Sequence, residues 1–89
     1  MILNDEISAL NCILIKYREK KYKLPTVHDG NDATRVLQKF AGMGSINDLY
    51  ICKGNGHNIE KSDELSVNGD FRNHLENIRQ ACATLSSKS

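Results

Sequence analysis

A helical stripe of apolar residues near the C-terminus constrains the fold most strongly. Apolar side chains recur there at steps of four, three, four and three residues, at Phe71, Leu75, Ile78, Cys82 and Leu85. This spacing places them along one side of an α-helix, whose period is 3.6 residues. We therefore predict a helix over about residues 69–86, with Asn68 or Asp70 as its N-cap. A stripe of this length must be covered, so the rest of the chain has to supply apolar partners.

Two earlier segments can supply those partners. Residues 4–20 form the first predicted helix, in which apolar side chains recur at Leu3, Ile7, Leu10, Leu14 and Tyr17. Residues 32–41 form the second predicted helix, which has a compact apolar face and Asn31 or Asp32 as its cap. Residues 49–67 predict a short extended or hairpin element from the runs LYIC and ELSV. The expected fold is mainly α with a small β element, in a single domain covering residues 1–89.

The first predicted helix is apolar on more than one side. Cys12 and Ile15 fall outside its main stripe, within the stretch ALNCILI. A helix that is apolar nearly all the way round is usually covered on two sides. A chain of 89 residues also has a thin core of its own. We therefore expect a homo-oligomer built through this helix, or another protein partner that covers it.

A basic segment lies at the end of the first predicted helix. Its sequence, IKYREKKYK at residues 15–23, holds five cations and one acid, whereas the net charge of the whole chain is +1. Cations are favoured at a helix C-terminus, so the segment can be a solvated helix end. Its mixture of cations and tyrosines can also contact phosphates and stack on single-stranded bases. The candidate residues for contact with a protein partner or nucleic acid are Ile15, Lys16, Tyr17, Arg18, Lys20, Lys21 and Lys23.

The second candidate site is the loop GMGSIND, which follows the second predicted helix. Its backbone N–H groups can form a concavity for a nucleotide-like anion, with side-chain contacts from Asn47 and Asp48. Alternatively the loop is a structural corner in which Gly42 ends the helix and the polar side chains satisfy the backbone. Both interpretations stay open. The candidate ligand-binding residues are Gly42, Met43, Gly44, Ser45, Asn47 and Asp48.

The stretch FAGMGSINDLYICKGNGHN resembles the central segment of a family of short bacterial and phage proteins of unknown function. The features in common are a GMGS-[aliphatic]-ND core, a hydrophobic run, a variable polar loop and a C-terminal helix. The resemblance covers roughly residues 36–59. Because that family has no assigned activity, it implies no catalytic residues. It implies only that Gly42, Gly44, Ser45, Asn47 and Asp48 are fingerprint positions.

The reactive side chains indicate neither a metal site nor an active site. No CxxC pair is formed by the three cysteines, Cys12, Cys52 and Cys82, so we predict reduced thiols. The spacing of the cysteines and histidines also matches no familiar set of metal ligands. Cys52 and His57 are close in sequence, but no oxyanion element or third orienting group is recognisable, so we predict no catalysis and no cofactor. With neither a signal-peptide pattern nor a membrane-spanning apolar run, we expect a cytoplasmic protein, in the host cytoplasm if it is phage-encoded.

These observations favour a non-catalytic interaction protein that binds and blocks or sequesters a macromolecular partner. The nearest analogy is to phage-type inhibitors of host defence or toxin systems. One alternative is a binder of a nucleotide-like anion that uses the loop at residues 42–48. A second alternative is a protein that binds RNA or single-stranded nucleic acid through residues 16–23.

Overall fold

The structure is a computed structural model that describes residues 2–40 and 46–88. It contains three α-helices, α1 (Ile2–Lys16), α2 (Gly30–Gln38) and α3 (Lys61–Lys88). Single 3-10 turns lie at Lys20–Tyr22, Ile46–Asp48 and Lys53–Asn55. The prediction of a mainly α fold with three helices is confirmed. The described residues contain no β-strand, and residues 64–67, which we expected to be extended, belong to α3.

The central element is α3, against which both α1 and α2 pack. Its predicted stripe forms the core, with Phe71, Leu75, Ile78 and Cys82 buried and Leu85 partly buried. The opposing buried side chains come from the first predicted stripe on α1 and from Ala33 and Val36 on α2. Burial of each large apolar side chain contributes about 1.5–3 kcal/mol. The stripe that defined α3 in the sequence therefore organises the whole domain.

The helix α2 begins slightly earlier than predicted, at Gly30. Its N-cap is Asp29, whose carboxylate accepts the backbone N–H of Asp32 at 2.9 Å. The Asp32 carboxylate in turn accepts the N–H of His28 at 3.0 Å. This reciprocal arrangement satisfies backbone donors on both sides of the helix start. The prediction of Asn31 or Asp32 as the cap was therefore wrong, although Asp32 takes part.

The extended residues 24–27 run along α1 in the antiparallel direction. Asn11 binds the N–H and the C=O of Leu24, both at 2.9 Å, and Asn4 binds the N–H and C=O of Val27 at 2.9 and 3.0 Å. Seven helical residues span about 10.5 Å, and three extended residues span about 10 Å. Because these lengths match, two asparagine side chains can replace the partner strand that this segment lacks.

A second extended segment is held to α3 in the same way. Arg72 donates to the C=O of Leu49 at 2.8 Å, and Asn68 binds the N–H and C=O of Ile51 at 2.9 and 2.7 Å. One helical turn further back, Glu64 accepts the N–H of Lys53 at 2.9 Å. Four helical residues span about 6 Å, close to the length of two extended residues. Asn68 is therefore an internal clamp. The prediction of Asn68 or Asp70 as the N-cap was wrong, because α3 begins at Lys61 and both residues lie inside it.

Candidate partner-binding surface

The end of α1 positions the basic segment. The N–H of Arg18 bonds to the C=O of Ile15 at 3.2 Å, and the N–H of Glu19 bonds to the C=O of Leu14 at 2.7 Å. This is a Schellman motif, which requires a left-handed residue at the position of Arg18. Arg18 has φ +63° and is the only non-glycine residue with positive φ in the described part of the chain. The helix thus ends at Lys16, and the chain turns sharply at an arginine where glycine is usual.

The left-handed backbone of Arg18 reduces stability. An L-residue in this conformation brings its Cβ close to a carbonyl oxygen, which costs about 1–2 kcal/mol. Glycine has no Cβ and avoids that contact. Backbone strain of this kind is concentrated at functional positions. Arg18 is therefore a candidate functional residue.

The single acid of the basic segment forms its ion pair outside the segment. The Glu19 carboxylate lies 2.8 Å from Nε2 of His57, and the two side chains are 19% and 5% exposed. Nδ1 of His57 lies 3.1 Å from the backbone nitrogen of Cys52 and 3.2 Å from its carbonyl oxygen. Because a carboxylate can only accept, Nε2 carries the proton that is donated to Glu19. The carboxylate is therefore bound to an imidazole from another part of the chain.

The Glu19 carboxylate forms no ion pair with the cations of the segment. Their side chains are exposed, and in residues 2–40 and 46–88 none of them forms an ion pair. We call these five residues the basic surface: Lys16, Arg18, Lys20, Lys21 and Lys23. It collects nearly half of the chain's 12 basic residues, whereas the net charge of the whole chain is only +1.

The other predicted contact residues differ in exposure. Ile15 is 48% exposed and adjoins the basic surface, whereas Tyr17 is only 9% exposed and belongs to the core. Tyr22 is half-buried against the core, and the ammonium of Lys21 lies 5.1 Å from the centre of its ring. Tyr17 is therefore unsuited to stacking on a base, and Tyr22 is largely covered. Cys12, which we expected to be covered together with Ile15 by a second subunit or a partner, is exposed on α1 of the single chain, so that expectation stays a prediction.

A pocket of about 530 Å³ opens beside this surface. One side is formed by the end of α1 and the other by the turn at residues 56–58, and the lining residues are Lys16, Tyr17, Arg18, Gly56, His57 and Asn58. The Glu19–His57 contact joins these two parts of the chain. The pocket is thus assembled from segments that lie about 40 residues apart in the sequence.

The second predicted site is described only in part. Residues 42–45 lie outside the described ranges, so the anion-binding interpretation of Gly42, Met43, Gly44 and Ser45 stays a prediction. Residues 46–48 form a 3-10 turn in which Ile46 is buried and Asp48 is exposed. Asn47 lies in the same turn.

A further pocket of about 350 Å³ is lined by Phe40, Arg72, Asn73, Leu75, Glu76 and Arg79. Its two cations already have partners, because Arg72 binds Leu49 and Arg79 binds Glu76 at 2.5 and 3.0 Å. Hydrogen bonds from Arg79, and then from Gln80, lower the pKa of Glu76 to about 2. This pocket therefore contains an internally neutralised ion pair.

The reactive side chains are arranged for structural roles. Cys52 and His57 are adjacent, but Nδ1 of the imidazole meets the backbone N–H of Cys52. Burial raises the pKa of the Cys82 thiol, which disfavours the reactive thiolate. Across the described ranges no three His, Cys, Asp or Glu side chains are grouped as metal ligands. No helix in those ranges is both long and apolar enough to cross a membrane.

Comparison with protein families finds a match for the central part of the chain. Residues 17–60 match a domain of unknown function, DUF6966. The matched region begins at the end of α1 and includes most of the basic surface, the loop at residues 42–48 and the turn that completes the pocket. The match therefore includes the predicted loop site and most of the predicted contact site, but not Ile15 and Lys16. Neither curated proteins nor solved structures give a significant match.

Proposed function

We propose that this chain is a non-catalytic interaction protein that binds an acidic surface of a protein partner through its basic surface. The observation that supports the proposal most directly is the orientation of Glu19, which bonds to His57 instead of neutralising its neighbours. Solvated charges at helix ends are common, but they are often balanced by nearby acids. A cluster of unbalanced cations attracts an acidic partner and accelerates its association.

Protein is favoured over nucleic acid because of the aromatic side chains. Proteins that bind single strands combine cations with rings on which the bases stack. Here Tyr17 is in the core, and Tyr22 is half-buried beneath Lys21. Ile15 adds an exposed apolar side chain at the edge of the basic surface. An apolar contact bordered by charges is typical of protein interfaces.

A second copy of the chain is a less suitable partner at this position. Two basic surfaces facing each other would repel, because juxtaposed like charges oppose association. Self-association through α1 stays a prediction, and it would have to use the side of the helix that carries Cys12. The proposal extends to blocking or sequestering the partner in the cytoplasm, as phage-type inhibitors of host defence or toxin systems do.

The proposal can be tested by fluorescence anisotropy with a labelled hexaglutamate peptide and a labelled six-nucleotide oligothymidylate. The variant Lys20→Gln/Lys21→Gln should weaken peptide binding about fivefold, since two exposed charge contacts contribute roughly 1 kcal/mol together. Lys39→Gln/Lys61→Gln is the matched control, because both lysines are exposed and the change in net charge is the same. This control should retain the affinity of the unaltered chain.

Three results would contradict the proposal. Equal losses in the two double variants would mean that only net charge matters. Tighter binding of the oligothymidylate than of the peptide, with the same dependence on the lysines, would identify nucleic acid as the partner. Absence of peptide binding at low salt would exclude an acidic partner at the basic surface.

A further inference from the structure

We infer that the pocket between the end of α1 and the turn at residues 56–58 holds one carboxylate of the partner. The inference rests on the proposed function and names the group that the basic surface recognises. The acidic side chain would enter the pocket beside Arg18 and Lys16, while the remaining cations contact the surrounding acidic surface. The pocket volume of about 530 Å³ admits a glutamate side chain together with water.

The charge of the pocket suits an oxyanion. Lys16 and Arg18 both line it, and neither forms an ion pair with another described residue. The C-terminus of α1 is the negative end of the helix dipole, which is equivalent to about half an elementary charge. The Glu19 carboxylate, which is bonded to His57 in the pocket wall, adds one negative charge. The two full positive charges of Lys16 and Arg18 outweigh the helix end and this carboxylate together. The Schellman bonds also occupy the carbonyls of Leu14 and Ile15.

The opposite wall supplies hydrogen-bond donors. The side-chain amide and the backbone N–H of Asn58 form no hydrogen bond with the residues that the structure describes. Both ring nitrogens of His57 are occupied, by the N–H of Cys52 and by Glu19, so the imidazole is a fixed wall. A carboxylate between Asn58 and Arg18 would therefore meet neutral donors on one side and a guanidinium on the other.

The backbone of Arg18 points to the same function. Glycine would adopt the left-handed conformation of the Schellman motif without a steric penalty. An arginine there lowers stability, and Arg18 is one of the residues that line the pocket. A side chain used for binding accounts for the strained backbone. The lack of an ion pair with any described residue and the left-handed backbone are thus two separate observations on Arg18.

The first test compares two substitutions at Arg18. Arg18→Gly should raise Tm by roughly 2–4 °C, because relief of the strain exceeds the entropy that glycine adds to the unfolded chain. It should also weaken binding of hexaglutamate about tenfold. Arg18→Lys keeps the charge and the strained backbone, so it should lose no more than about threefold and should not gain stability. Peptide binding by Arg18→Gly equal to that of the unaltered chain would overturn the inference.

The second test introduces a carboxylate into the pocket. Asn58→Asp places a negative charge where the partner's carboxylate should lie, and it should weaken hexaglutamate binding about tenfold. Asn73→Asp is the matched control, because Asn73 is exposed on α3 and the change in net charge is the same. The control should change the affinity less than twofold. Equal effects of the two substitutions would show that the pocket is not occupied.

These tests separate failure of the inference from failure of the proposed function. If Lys20→Gln/Lys21→Gln weakens peptide binding and Arg18→Gly does not, the basic surface binds acids without using the pocket. If the unaltered chain does not bind the peptide, the proposed function itself fails. Inorganic phosphate at the same concentration as the peptide carboxylates should not displace the peptide. Displacement would identify a free phosphate as the ligand and overturn the assignment of a protein carboxylate.

Discussion

Replacement of Asn68 by alanine should remove the clamp that holds residues 49–53 to α3. The Asn68 side chain accepts the N–H of Ile51 at 2.9 Å and donates to the carbonyls of Ile51 and Glu64, each at 2.7 Å. Both Asn68 and Ile51 are buried, so water cannot replace these bonds without local opening. Each net hydrogen bond contributes about 1 kcal/mol, and a buried group left without a partner costs about 1–3 kcal/mol.

These values give an expected destabilisation of about 3 kcal/mol for Asn68→Ala. A domain of this length has a free energy of unfolding of roughly 4–13 kcal/mol, so the loss is a large fraction of the total. The corresponding fall in Tm is about 12–24 °C. The free energy of unfolding should be measured by urea denaturation followed by circular dichroism at a helical wavelength. Amide exchange should at the same time become faster at Ile51.

Asn73→Ala provides the control for helix propensity, because Asn73 is exposed on the same helix. Alanine is a better helix former than asparagine, so this control should gain up to about 0.5 kcal/mol. Asn68 is not a clamp if the free energies of unfolding of Asn68→Ala and Asn73→Ala differ by less than about 1 kcal/mol. The same conclusion follows if the amide exchange rate of Ile51 is unchanged in Asn68→Ala.

Two further predictions concern the thiols and the acid response. Iodoacetamide should alkylate exposed Cys12 at least about 100-fold faster than buried Cys82, whose thiol reacts only after local unfolding. Similar alkylation rates at the two thiols would contradict the burial of Cys82 in the core. A fall in the alkylation rate of Cys12 with rising protein concentration would support self-association through α1. The pKa of Glu76 lies at about 2 in the folded chain, below its ordinary value of 4.5, because of hydrogen bonds from Arg79 and Gln80. The stabilisation is therefore complete above about pH 4.5 and lost as the pH falls through about 2, so the stability difference between the unaltered chain and Glu76→Gln should shrink across this interval. A difference that stays constant from pH 5 to pH 2 would contradict the assignment.

The helices could be predicted where their own apolar pattern determines them. The stripe from Phe71 to Cys82 repeats at helical spacing, and it is buried as expected. The start of α3 could not be predicted, because residues 61–67 have no such stripe and Leu65 is 82% exposed there. In that region, Glu64 and Asn68 on the helix form hydrogen bonds to residues 49–53. Asparagine favours helix caps in general, and here tertiary contacts override that preference.

The candidate site was predictable in its charge and unpredictable in its shape. The run of cations after α1 is visible in the sequence, and so is the single acid within it. Glu19 pairs with His57, which is 38 residues away, and no local pattern signals that contact. The end of α1 has no nearby glycine, so a left-handed residue there has to be of another type, and the sequence does not indicate which. Arg18 takes that position, and it is one of the residues that line the pocket.

Titration of ¹⁵N-labelled protein with hexaglutamate, followed by amide chemical shifts, tests the central claim most directly. The binding account predicts that shifts concentrate at residues 16–23 and 56–58 and saturate with a single dissociation constant. Saturable shifts confined to α3, or to the loop at residues 42–48, would contradict the account.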